Sequence, residues 1–168
     1  MHSGGAWGSD TAWAYYATQY GVPNDPEHIS HYYYGRQTPN GNVPISKEDF
    51  FEGMSKVLIA DQSLHRLDNV SEEREKTIVP LLARNWLQVK NSDAVFAIGV
   101  LKQNTVDGGT GWAVQMAIDS GKPVHVFDLN TERWYKFDTD SRSFVYETTP
   151  KLTKNFAGIG TRSIDRDI

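Results

Sequence analysis

Three observations predict an α/β domain built on a mostly parallel sheet. Ala94-Val95-Phe96-Ala97-Ile98-Gly99 is a continuous apolar run, the pattern of a strand covered on both faces. Thr110 to Ser120 reads as a helix with Gly121 as its stop, and Pro123-Val124-His125-Val126-Phe127 follows as a second buried strand. Strand, glycine loop, helix, strand is a βαβ unit, whose two strands are parallel.

The remaining elements attach to that unit. Ser9 or Asp10 caps a helix running to about Gln19, with Gly21 as its stop. From Gly21 to Pro44 the prolines, the Tyr32-Tyr33-Tyr34 run and Asn40-Gly41 mark a long irregular segment, a candidate lid or specificity element. Ser46 followed by Asp49 resembles a capping box before a helix through about Ala60. Ser71 with Glu72 and Glu73 opens another toward Val89, in which Pro80 is expected to cause a kink or a restart. The opposite charges from Glu72 to Lys76 are explained by a solvated helix face. Trp134 to Phe137 and Phe144 to Tyr146 flank the polar turn Asp138 to Arg142, which predicts a small β-hairpin attached to the sheet. Asn155 to Gly160 reads as a last short strand running into a glycine turn.

A length of 168 residues fits one domain spanning 1–168. A formal net charge of -4 gives no general attraction to a nucleic-acid backbone, so duplex nucleic acid is not an expected partner. With no cysteine there is no disulfide framework, thiolate metal site or cysteine nucleophile, which suits a reducing compartment. The opening residues lack a basic start and an apolar run, and no stretch approaches a membrane span. The expected location is cytoplasmic, in a bacterium or, for a phage-encoded chain, in its host, with no membrane partner.

Three segments share one physical design, a tight turn of small residues: Ser3-Gly4-Gly5-Ala6-Trp7-Gly8-Ser9-Asp10, Asp107-Gly108-Gly109-Thr110-Gly111-Trp112 and Gly158-Ile159-Gly160-Thr161-Arg162. Glycine has no Cβ, so backbone N–H groups approach an anion closely, and a helix starting there adds its positive end. A phosphate group is the expected guest. Loops of this type at the carboxyl ends of neighbouring parallel strands line a single crevice.

Several side chains admit two readings. Asp10 either bonds a ribose hydroxyl, base edge or neighbouring loop, or caps its helix. Arg162 offers a bidentate fork to phosphate or is solvated. Asp128, at a strand end, reads a ribose or caps the next turn. Arg36, Tyr32 and Tyr34 clamp a ligand from the long loop or pack on the domain, and Trp7 and Trp112 stack on a base or wedge their turns. His28 and His31 have the spacing of a metal pair but lack further ligands in sequence, so no metal and no cofactor are expected. No nucleophilic serine with histidine and acid partners is legible.

The segments Ser3-Gly4-Gly5-Ala6 with Asp10, Arg84-Asn85, Asn91 to Val95, Gly108-Gly109-Thr110 with Ala113 and Ala117, and Gly121 to Val124 resemble the SLOG superfamily of Rossmann-like proteins. The likeness covers nearly the whole chain. Ala157 to Arg162 resembles the segment that usually opens that fold, so the chain resembles the circularly permuted YpsA-like group described as molybdenum-cofactor carriers; Gly35-Arg36, Asn40-Gly41 and Val43-Pro44 are similar to that group's middle loop. The resemblance implies a Rossmann-like three-layer α/β/α sandwich, circularly permuted, with chain ends close together. It also implies a nucleotide-type site at Ser3, Gly4, Gly5, Asp10, Gly108, Gly109, Thr110, Gly160 and Arg162, and a homo-oligomer, with the helices after residue 46 as the contact surface. Related LOG phosphoribohydrolases carry a proline before the glycine pair and two glutamates after it. Here Asp107 stands for the proline, and Val114 and Gln115 stand near the glutamates, and neither can replace a carboxylate in N-glycosidic cleavage. The expected function is binding (sensing, carrying or sequestering) of a phosphorylated, nucleotide-derived small molecule; the alternative is an N-glycosidase using Asp10, Asp107 or Asp128.

Overall fold

The computed structural model describes residues 1–4 and 8–161. In chain order the elements are β1 (His2–Ser3), α1 (Ser9–Gln19), β2 (Ser30–Tyr33), β3 (Val43–Pro44), α2 (Lys47–Leu64), α3 (Glu72–Lys90), β4 (Ala94–Gly99), β5 (Leu101–Lys102), β6 (Thr105–Val106), α4 (Gly109–Asp119), β7 (Val124–Asp128), β8 (Arg133–Asp138), β9 (Ser143–Glu147) and β10 (Phe156–Gly160). Eight strands form one sheet in the order β3-β2-β1-β10-β4-β7-β8-β9. The strands from β3 to β7 run parallel, and the β8–β9 hairpin adds two antiparallel strands at one edge.

The apolar run of β4 is used on both faces. Val95 and Ala97 enter a large core with α2, α3 and α4, while Ala94 and Phe96 enter a smaller one with Trp13, Ala14 and Ala17 of α1. Helices on both sides of a mostly parallel sheet make the fold Rossmann-like. No described helix is long and apolar enough to cross a membrane.

The last strand lies in the middle of the sheet. β10 sits between β1 and β4, with His2 opposite Ala157 and Gly160 opposite Ile98. The first and last described strands, expected to be close, are therefore neighbours and run parallel.

Three features differ from expectation. The segment 21–44 contains β2 and the edge strand β3, where Pro44 costs little because an edge need not donate every N–H. A short hairpin, β5–β6, stands between β4 and α4 and turns at Gln103 and Asn104, with Gln103 at φ 55°. Finally, α3 runs as one helix through Pro80, in place of the expected restart, with Val79 before the proline and Ala83, Trp86 and Leu87 after it buried in one core. Pro80 still removes a backbone donor and crowds the Lys76 carbonyl. Pro80→Ala should raise stability by about 1–3 kcal/mol, read as a higher urea midpoint; a lower midpoint would mean the helix has adapted to the ring.

Candidate functional site

Two helices begin differently from the other two. Ser46 and Ser71 cap α2 and α3, their Oγ atoms accepting from Asp49 N at 3.1 Å and Arg74 N at 3.3 Å. α1 and α4 follow Gly8 and Gly108 instead, and no described side chain caps either. Gly108 lies at φ 69°, a conformation that favours glycine. First-turn N–H groups of α4 are thus left without a cap, at the helix end that carries partial positive charge.

Both uncapped ends open on one cavity of about 460 Å³, within the range of small-molecule sites. Gly4, Asp10, Asp107 to Thr110, Gly160 and Thr161 line one side, so the described parts of all three glycine loops meet there. The third loop is sutured to α1: Thr161 O accepts from Ser9 N at 3.1 Å and Ser9 Oγ at 2.9 Å, and Thr161 N donates to Ile98 O at 2.9 Å. A Cβ added at Gly4 would lie 3.3 Å from Asp10 Oδ2 and 3.0 Å from Gln88 Nε2, which places a carboxylate and an amide against that loop.

The opposite wall is α3. Ile78, Leu81, Leu82, Asn85 and Gln88 fall on one helical stripe, with Arg84 beside it. The wall changes from aliphatic at one end to amide at the other. Arg84 and Asn85 belong to the segments that resemble the SLOG superfamily, whereas Ile78, Leu81, Leu82 and Gln88 carry no motif; their i, i+3, i+4 spacing is the available signal, and it reads equally as core.

Other candidates are placed elsewhere. Gly5, Ala6, Trp7 and Arg162 lie outside the described residues. Arg36 is exposed and does not line the cavity. Tyr34 stacks on Phe50 at 3.7 Å, and Tyr32 is buried, accepting from Asn91 Nδ2 at 3.0 Å. Trp112 is buried in the main core, and Gly111 is packed against β6. Asp128 serves its own turn: its carboxylate accepts from Leu101 N at 3.0 Å, Thr131 N at 3.2 Å and Thr131 Oγ1 at 2.9 Å. These bonds hold its pKa below the ordinary carboxylate value although burial pushes the other way. Val114 is buried in the core and Gln115 Nε2 donates to Asp119 Oδ1 at 2.9 Å, so neither lines this cavity.

Histidines 28 and 31 diverge. His28 is tied to Asp25, which with Glu27 places three ligand-type atoms within 4.8 Å on an exposed loop. His31 Nδ1 lies 2.5 Å from Ser3 Oγ, and both residues are buried, so this serine joins β1 to β2 and is no accessible nucleophile. His2 Nε2 lies 2.6 Å from Asn155 Oδ1. Burial lowers the pKa of both His2 and His31 below the usual value of about 6.5. The unfolded chain then binds more protons just below that pH, so stability falls as pH drops through the window between about 6.5 and the lowered values. The thermal midpoint should decline from pH 7 to 5, and His2→Gln should reduce the slope; an unchanged slope would assign the decline to other groups.

Comparisons with family models, with curated proteins and with solved structures give no match to this chain.

Proposed function

We propose that the chain binds a phosphorylated, nucleotide-derived small molecule in the cavity between the glycine loops and α3, and thereby senses, carries or sequesters it. One contrast carries the reading: the helices whose N-termini open on the cavity start at glycine without a side-chain cap, while α2 and α3, whose N-termini do not line it, are capped by serine. An anion at the uncapped ends accepts the bonds that a serine makes elsewhere. Asp10 and Asn85 supply partners for sugar hydroxyls, and Ile78, Leu81 and Leu82 supply an apolar surface for a flat ring. The resemblance to permuted SLOG proteins agrees with this, and so does the place of the last strand in the sheet. Self-association through the helices after residue 46 belongs to the same proposal.

Calorimetric titration with nucleoside monophosphates and ADP-ribose derivatives tests the reading. We expect saturable binding that inorganic phosphate competes away; folded protein that takes up none of them overturns it. A second reading, N-glycosidic hydrolysis, draws on Asp10 and Asp107, which both line the cavity. Product analysis after long incubation separates the two, since a binder returns its ligand intact.

A further inference from the structure

A second cavity of about 330 Å³ lies across the β5–β6 hairpin, between that hairpin, the end of α2, α4 and the β8–β9 turn. Arg66, Lys102 and Arg142 line it together with the amides of Gln103, Asn104 and Gln115, and no carboxylate is among its described lining residues. The first cavity, in contrast, sets Arg84 against Asp10 and Asp107. Asp61, Asp107 and Asp119 are the nearby acids: Asp61 Oδ1 accepts from Arg66 N and Leu67 N, Asp107 pairs with Lys102, and Asp119 holds the Gln115 amide. Three cations around one hollow favour a ligand with several negative charges.

Two of these cations also hold the first site. Arg66 donates from NH1 to Gly108 O at 2.8 Å and from NH2 to Val106 O at 2.8 Å. Lys102 Nζ lies 2.7 Å from Asp107 Oδ2. The turn that carries the α4 N-terminus is therefore fastened from behind by groups that line the second cavity.

We propose that this second cavity binds a small multivalent oxyanion of the phosphate-chain type, and that the occupant competes with Asp107 and the Gly108 carbonyl for Lys102 and Arg66. The anion site stands on its own residues; the coupling rests on the reading of the first cavity given above. Competition for shared cations makes the two ligands weaken each other, and linkage requires the effect to be mutual, by about fivefold or more.

Inorganic tripolyphosphate titrated calorimetrically at constant ionic strength tests it, using the intact chain, Arg142→Glu and Gly109→Asp. Arg142 lines only the second cavity, whereas Gly109→Asp places a fixed carboxylate in the first. We expect Gly109→Asp to keep a tripolyphosphate site, and Arg142→Glu to weaken that site at least tenfold while Arg142→Lys restores it. Binding lost in Gly109→Asp and kept in Arg142→Glu assigns the anion to the first cavity and overturns the proposal, as does a Gly109→Asp protein that is folded and binds nothing. Failure of the first-cavity reading has a different signature: the intact chain binds tripolyphosphate but no nucleotide, whereas a nucleotide that binds without weakening tripolyphosphate overturns the coupling.

Discussion

Gly111→Ala should lower the thermal midpoint by roughly 4–8 °C, the net of a helical gain and a larger packing cost. Taken alone, the change favours the helix, since alanine in place of glycine in a helix interior gains about 1 kcal/mol. The surroundings reverse the sign. A Cβ at Gly111 would overlap Val106 O and lie 2.9 Å from both terminal nitrogens of Arg66. The carbonyl is backbone, fixed in β6 and already bonded to Arg66, so it cannot turn away as a side chain would. Relief requires α4 to move off the hairpin, which loosens the buried contacts of Trp112, Ala113 and Val114. Overpacking in a dense interior costs about 3 kcal/mol at the upper end of its usual range, and in a domain of this size each kcal/mol moves the midpoint by about 2–4 °C. Differential scanning calorimetry measures it; an unchanged midpoint would show that the helix and hairpin are less closely packed than the geometry states.

The centre of this fold was legible because its strands are mostly apolar and have no exposed residue along their length. The apolar run of β4 and the next at β7 can only be interior strands, and the helix between them starts and stops at glycine. The edges were not legible for an equally physical reason. β2 reads Ser-His-Tyr-Tyr and is buried on the strength of hydrogen bonds, Ser3 to His31 and Tyr32 to Asn91, which come from residues far away in the chain. β1 is two residues long, and nothing local marks two residues as a strand. Pro80 shows the limit of a local rule, because the cost of a proline is set by the helix alone while α3 also buries Val79, Ala83, Trp86 and Leu87 around it.

The candidate site divides along the same line. Glycine loops announce close backbone approach, but sequence does not say what approaches. In the structure Gly4, Gly108, Gly109 and Gly160 border the cavity, Gly111 is needed for a carbonyl, and Asp128 closes a turn. Nor does a periodic helix declare whether its stripe faces core or cavity, and so the α3 wall became visible only when the opposite loops were in place. Arg66 had no signal at all, since it is a lone cation after a helix, and its bonds to Val106 and Gly108 cross some forty residues of sequence.

Gly109→Asp, two residues from the glycine argued above, should do the opposite: leave the fold intact and abolish binding. A Cβ at Gly109 meets nothing within 4 Å, and its φ is not in the left-handed region, so a side chain fits there without strain. Gly109 is the first residue of α4, where an aspartate complements the helix dipole by about 0.3–1 kcal/mol, and loss of glycine freedom in the unfolded chain adds about 0.4–1 kcal/mol. The thermal midpoint should therefore stay or rise. The new carboxylate occupies the position assigned to the ligand's phosphate, takes up the uncapped N–H groups and repels a second anion. Losing one or two charge-assisted hydrogen bonds at about 1.5–3 kcal/mol each corresponds to an affinity loss on the order of 100-fold. Gly109→Asn is nearly the same size and carries no charge, so it should weaken binding much less, and the difference between the two variants isolates the electrostatic part. Calorimetric titration of both against the same nucleotide gives the answer. Wild-type affinity in a folded Gly109→Asp protein would remove the α4 N-terminus from the binding site and, with it, the contrast between capped and uncapped helices on which the functional reading stands.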